Sequence, residues 1–210
     1  LAGLGDRDDH SHVSSNITAL AEWGGAGGSN LNPYYIGYSG SNNTLAIAAG
    51  GVLRQANWGG LSVGGSAGGD GNTLRIESGG VYTNSSTISA LQVGADRYGD
   101  DDAGGNGNRL LIDGGRAYVA GGFLGGSSNV FRVSDGGRVH LQNRSGNLPP
   151  DLLVGHFSNT ACNAVEVEGF GSRLTVDGQV RLGHESESVG HRLRIADVAL
   201  FEALGNPDPA

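Results

Sequence analysis

The stretch NTLRIESGGV, residues 72–81, repeats the phrase NTLAIAAGGV of residues 43–52, with seven of ten positions identical and the copies 29 residues apart. The shared residues are an Asn-Thr pair, a Leu and an Ile two positions apart, and a Gly-Gly-Val ending. Leu74 and Ile76 flank the charged Arg75, the period-two alternation of a strand with one face inward. The double glycine supplies positive φ at a tight corner, where a Cβ would clash. A phrase repeated at such an interval points to stacked units rather than to an isolated motif.

A second marker extends the repeat along the chain. An aliphatic residue followed by Gly occurs at Ile36-Gly37, Val63-Gly64, Val93-Gly94, Leu124-Gly125, Val154-Gly155 and Leu182-Gly183, at spacings of 27, 30, 31, 30 and 28. Within each interval an Asn precedes an alternating apolar pair. The Asn column is Asn43, Asn72, Asn108, Asn129 and Asn163, with His191 in sixth place. The pairs are Leu45/Ile47, Leu74/Ile76, Leu110/Ile112, Phe131/Val133, Val165/Val167 and Leu193/Ile195. The corner glycines are Gly50-Gly51, Gly79-Gly80, Gly114-Gly115 and Gly136-Gly137, loosening to Gly169-Phe170-Gly171 in the fifth unit.

Each unit holds three short strands, and no segment sustains a 3.6-residue apolar period. A strand of three to five residues cannot bury a core alone, but identical units stacked at roughly 4.8 Å per layer can. The prediction is an all-β chain forming a parallel β-solenoid, a three-sided β-helix of 27–31 residues per coil with one coil per repeat. A β-propeller is the competing architecture, but its blades need roughly 40–50 residues and four strands. The Asn amides are expected to form a layer-to-layer ladder, with His191 marking its end. Four segments are expected: a flexible polar stretch over 1–12, a degenerate coil over 13–36, the repetitive solenoid over 37–195, and a C-terminal coil or tail over 196–210 that is a candidate subunit contact.

Composition narrows the functions. The formal net charge is −8, and all 13 basic residues are Arg. An acidic chain without a basic cluster in sequence is a poor nucleic-acid or anionic-membrane binder. No apolar run is long enough to span a bilayer. The chain starts at Leu1 and contains no Met, which suits a processed mature chain or an excised fragment. Cys162 is the single cysteine, so no intramolecular disulfide framework is possible.

Candidate chemistry is sparse. Asp6, Asp8, Asp9, His10 and His12 are dense enough in oxygen and imidazole donors to hold a divalent cation, and Asp100, Asp101 and Asp102, with Asp96, could take Ca²⁺. A solvated polar terminus and a solvated loop are the plainer readings. GGDGNTLRI (68–76) and GGNGNRLLI (104–112) approach the Ca²⁺-binding nonapeptide, but hold Thr73 and Arg109 where it needs Asp, and lie 36 residues apart rather than nine. His156 and His184 each follow a closing Gly and are expected in adjacent layers, as a metal pair or simply as tolerated polar residues. Asp113 and Asp135 each precede Gly-Gly in adjacent coils, which predicts two carboxylates about 5 Å apart, near glycosidase spacing. Asp-Gly is also ordinary turn chemistry. The arginines Arg75, Arg109, Arg132, Arg173 and Arg194 read as scattered singly. No nucleophile elbow, zinc-protease motif, phosphate loop or dinucleotide fingerprint occurs.

The phrase VG…GN-x-L-x-I-x-x-GG-x-V…L-x-VG, running over about residues 36–198, resembles the repeats of secreted bacterial β-solenoid proteins, autotransporter passenger domains among them. The resemblance implies an extracellular or cell-surface module, without the outer-membrane barrel that would follow a complete passenger. It leads to the expectation of a non-enzymatic structural protein that self-associates end to end into a filament or surface layer. The alternatives are an adhesin-like module recognising glycan or cell surface through the variable loops 94–108 and 142–151, and, third, a β-helix polysaccharide-degrading enzyme.

Overall fold

The structure, a computed structural model, describes residues 14–23, 34–55, 60–84, 91–95, 104–142, 152–155, 158–183 and 187–204. Among these residues the regular structure is strand alone, and no helix is long and apolar enough to cross a membrane. The first turn of the chain carries β1 (Ser14–Ile17), β2 (Leu20–Trp23) and β3 (Tyr34–Ile36), and the second carries β4 (Thr44–Ile47), β5 (Val52–Gln55) and β6 (Leu61–Val63). The third has β7 (Thr73–Glu77), β8 (Val81–Asn84) and β9 (Leu91–Val93), and the fourth β10 (Arg109–Asp113), β11 (Arg116–Val119) and β12 (Gly122–Leu124). β13 (Val130–Ser134), β14 (Arg138–Leu141) and β15 (Leu152–Val154) make the fifth, and β16 (Ala164–Glu168), β17 (Arg173–Val176) and β18 (Val180–Leu182) the sixth. β19 (Arg192–Ala196) and β20 (Leu200–Ala203) begin the seventh.

Every strand pairs with the strand three places along the chain. The first sheet runs β1-β4-β7-β10-β13-β16-β19, the second β2-β5-β8-β11-β14-β17-β20, and the third β3-β6-β9-β12-β15-β18, all parallel. This is a three-sided parallel β-helix, and its register follows from the alternation. β7 buries Leu74 and Ile76 and turns Arg75 outward. A one-residue slip would reverse that choice on every strand it touched. Consequently Leu45, Leu74, Leu110, Phe131, Val165 and Leu193 form one inner column of the first sheet, and Ile47, Ile76, Ile112, Val133, Val167 and Ile195 form the other. Each fully buried aliphatic or aromatic side chain in these columns contributes about 1.5–3 kcal/mol.

On the second sheet the inner column reads Ala21, Leu53, Tyr82, Ala117, Val139, Leu174, Phe201. The largest member, Tyr82, lies beside the small Ala117, so volume is conserved between layers as close packing demands. The Tyr82 hydroxyl donates to Gln55 Oε1 at 2.6 Å, and Gln55 Nε2 donates to the Gly60 carbonyl. Burial pushes the Tyr82 phenol well above its ordinary pKa, so this interior hydrogen bond persists across the physiological range.

The double glycines divide the work of the corner. Gly79 takes φ +80° and has only ordinary contacts around its missing Cβ. A Cβ on Gly80 would fall inside 3.0 Å of the Ile47 carbonyl oxygen in the preceding turn. The two are therefore expected to respond differently to alanine. Gly79→Ala costs about 1–2 kcal/mol of backbone strain, whereas Gly80→Ala forces two layers apart and lowers the unfolding midpoint further. Chemical denaturation of the two variants side by side checks the order.

Candidate functional site

The Asn column lies inside the corner between the third and first sheets, with every member buried. From Asn72 onward each side-chain oxygen accepts a hydrogen bond from the backbone N–H of the Asn one turn earlier. Asn43 N donates to Asn72 Oδ1 at 2.9 Å, Asn72 N to Asn108 Oδ1 at 2.8 Å, Asn108 N to Asn129 Oδ1 at 2.7 Å, and Asn129 N to Asn163 Oδ1 at 2.9 Å. The amide nitrogens of Asn72, Asn129 and Asn163 turn back to the closing-glycine loop, as in Asn129 Nδ2 donating to the Gly105 and Gly125 carbonyls at 3.0 and 2.6 Å, whereas Asn43 Nδ2 donates to Asn72 Oδ1. The closing glycines make room for them: a Cβ on Gly37, Gly64 or Gly94 would collide with the amide of Asn72, Asn108 or Asn129. Two sequence columns thus form one packing unit.

His191 takes the last place. Asn163 N donates to His191 Nδ1 at 3.2 Å, so the neutral ring carries its proton on Nε2, facing Ser188 Oγ at 2.6 Å. A histidine donating to a serine is no general base for it, so this pair is structural. Burial lowers the His191 pKa below its usual 6.5, partly offset by a backbone hydrogen bond to Thr160. The unfolded chain therefore takes up this proton first as pH falls. The stabilisation is complete above the unfolded pKa of about 6.5 and is lost as pH drops from there toward the lower folded value. Thermal unfolding of the protein between about pH 7.5 and pH 5 should show this loss, and His191→Asn should remove its part of the slope.

A second, exposed ladder runs two residues ahead of the first and escaped the sequence reading. Asp70 Oδ1 accepts from Asn106 N at 2.7 Å, Asn106 Oδ1 from Ser127 N at 2.8 Å, and Ser127 Oγ from Ala161 N at 3.1 Å. Asp70, in the nonapeptide-like phrase, is thereby occupied with backbone. Its signal was the polar residue two before Asn43, Asn72, Asn108 and Asn129, hidden because its identity changes from turn to turn and gives way to Ala161 before Asn163.

The nominated metal residues Asp6, Asp8, Asp9, His10, His12, Asp96, Asp100, Asp101 and Asp102 lie outside the described residues, as do His156 and His184. Among the described residues no three His, Cys, Asp or Glu side chains are grouped to hold a metal ion. The Asp113–Asp135 carboxylate pair is corrected by the register. Asp113 aligns with Ser134 and Glu77, and Asp135 sits one residue beyond, at φ +54°. The cause is a corner one residue shorter in the fourth turn, with only Gly114 and Gly115 between Asp113 and Arg116. The Asp113 carboxylate accepts from Ser134 Oγ at 2.6 Å and meets Arg75 Nε at 2.9 Å.

The arginines are also less scattered than the sequence suggested. Arg116, Arg138 and Arg173 are exposed and share one outward column of the second sheet on β11, β14 and β17. Beside them runs a second outward column, Tyr118, His140, Thr175 and Glu202. Arg138 and Arg173 with Tyr118, His140, Thr175 and Glu202 border an open groove of about 500 Å³ that Leu204 also lines. His140 Nε2 lies 2.7 Å from Asp177 Oδ1, its Nδ1 3.2 Å from Gln142 Nε2, and Glu202 is tied to Arg173 at 2.5 Å. Both ring nitrogens of His140 and the Glu202 carboxylate are thus already engaged. The sequence did hold the signal, since Gly-Gly-Arg occurs at 114–116 and 136–138, but only the register joins Arg173 to it.

Comparison of this chain with family models, curated proteins and solved structures gives no match.

The two ends of the stack differ. In the first turn the inner residues Ile17 and Ile36 are 4% and 0% exposed. At the other end Leu182 and Ile195, on the same inner columns, are 43% and 47% exposed. The corner of the seventh turn also departs from the repeat. Asp197 at φ +56° repeats Asp135 of the fifth turn at +54°, but Val198 takes φ +62°, and a β-branched residue there is strained. β18, β19 and β20 each pair on one side only.

Proposed function

We propose that this chain is a non-enzymatic structural repeat protein of the cell exterior, which self-associates end to end through its C-terminal turn into a filament or surface layer. The observation that carries the reading is the open C-terminal turn, where core positions and strand edges meet solvent. Edges of this kind are templates for pairing with another chain. A parallel stack continues by simple translation, and the first-turn strands β1, β2 and β3 also pair on one side only. The edge of a second copy would therefore carry on the same columns, with Ile17 and Ile36 already covered within their own chain: Ile17 after Ile195, Ile36 after Leu182 and Ala21 after Phe201. The last pairing sets a large residue against alanine, as Tyr82 and Ala117 do within the chain. Such a contact is heterologous and does not close.

The exterior location rests on the likeness of the repeat phrase to secreted bacterial β-solenoid surface proteins, an argument by analogy. The non-enzymatic reading is supported by the groove and the corner, where His140, Glu202 and Asp113 are each committed to neighbouring side chains. Sedimentation velocity over a concentration series is expected to show species growing beyond the 21.3 kDa chain without settling at one oligomer. A single monomeric species at every concentration overturns the proposal.

A further inference from the structure

The arginine column of the second sheet is anomalous against its surroundings. On the first sheet Arg75 meets Asp113 at 2.9 Å, Arg192 meets Glu166 at 2.5 Å, Arg194 meets Glu168 at 2.8 Å, and Arg132 lies 3.9 Å from Glu168. Arg109, the exception there, has Thr73 and Val130 as register neighbours and stands as a single charge. On the second sheet three arginines follow one another in register, and among the described residues Arg116 and Arg138 have no carboxylate within 4.0 Å. Adjacent parallel strands lie about 4.8 Å apart, and like charges directly opposite at that distance are destabilising. Among the described residues Glu202 is the carboxylate that pairs with this column, at Arg173, while Asp177 is held by His140 in the column beside it.

From this column we infer a binding site for a linear acidic polysaccharide, one bearing a carboxylate on successive sugars, lying along the helix axis over Arg116, Arg138 and Arg173. Guanidinium groups bind carboxylates through paired, charge-assisted hydrogen bonds. In an extended 1,4-linked chain with a two-fold screw the carboxylates on one face recur every second sugar, a repeat of the same order as two turns of the stack. Same-face carboxylates therefore meet Arg116 and Arg173, with Arg138 beneath the sugar between them. The second column supplies what a sugar needs beyond charge. Tyr118 offers an amphipathic ring surface, and His140 an imidazole face held in place by Asp177 and Gln142. The net charge of −8 works against any polyanion, so binding has to come from short-range recognition of individual carboxylates by this local column rather than from the long-range phosphate neutralisation that dominates nucleic-acid affinity. The site sits on the regular face of the sheet and does not depend on self-association.

The test uses the full chain and 1,4-linked oligogalacturonates of increasing length, with the fully methyl-esterified oligomers as the uncharged counterpart, followed by calorimetry. Binding is expected to strengthen up to about three sugars, to weaken with added salt, and to disappear on esterification. Arg138→Gln is expected to lower affinity about tenfold or more, and Arg116→Gln with Arg138→Gln to abolish it. Because both residues are exposed and removing one relieves like-charge repulsion, the variants should unfold at or slightly above the parent midpoint, which is measured alongside. Arg109→Gln, on the first sheet, should bind like the parent. Absence of binding by the parent chain, equal binding of the esterified oligomers, unchanged affinity in the double variant, or tighter binding of single-stranded DNA than of oligogalacturonate each overturns the proposal.

Discussion

Asn129→Ala is expected to lower stability by about 3 kcal/mol or more, from roughly 1–3 kcal/mol for each buried polar group left without a partner. The side chain serves three groups at once: it accepts from Asn108 N at 2.7 Å and donates to the Gly105 and Gly125 carbonyls. None of these can turn to water, because the corner is closed. Asn129→Asp keeps the shape and the acceptor but loses both donors and buries a charge, so it should be at least as damaging. Asn106→Ala removes a similar backbone acceptor from the exposed ladder, where water substitutes, and should cost well under half as much. Because a stack unfolds by neighbouring turns, the comparison is best made on the urea midpoint and on hydrogen exchange of Asn108 N–H. Equal midpoints for Asn129→Ala and Asn106→Ala would show that the inner ladder is not the stronger clamp.

Leu182→Glu combined with Ile195→Glu is expected to abolish self-association while leaving the folded chain intact. Both side chains are nearly half exposed in the single chain, so a carboxylate there remains hydrated and the unfolding midpoint should change little. In an end-to-end contact the same carboxylates would be buried against the first-turn edge of the next copy, where no described residue is basic, a desolvation cost of several kcal/mol each. Association should therefore weaken at least a hundredfold, or about 2.7 kcal/mol, read by sedimentation at matched concentration. Unchanged association would place the contact elsewhere on the molecule.

What the sequence could carry here is governed by period. The inner columns and the glycine corners recur at nearly fixed spacing with nearly fixed residue types, because each must satisfy the same contact in every turn, so the three-sided stack was legible. The outer ladder through Asp70, Asn106 and Ser127 requires only an acceptor atom and so changes its residue freely. The arginine column was hidden differently. Arg116, Arg138 and Arg173 are separated by 22 and then 35 residues, and only the register, which absorbs the variable loops, places them side by side. Asp113 misled for a related reason: one residue missing from a corner shifts a carboxylate by one place, and counting from Gly-Gly does not reveal which side of the corner lost it.

The most direct measurement is disulfide trapping between ends. If the C-terminal edge of one copy continues into the N-terminal edge of the next, the column through Glu166 and Arg194 meets Asn16 of the second copy. Their Cα atoms would then be about 4.8 Å apart, within disulfide reach. In a Cys162→Ser background, Arg194→Cys with Asn16→Cys is expected to give, on mild oxidation, a ladder of covalent multimers that collapses to monomer on reduction, while either single cysteine gives no ladder. Monomer alone, or a lone dimer band formed equally well by Arg194→Cys by itself, would contradict head-to-tail stacking.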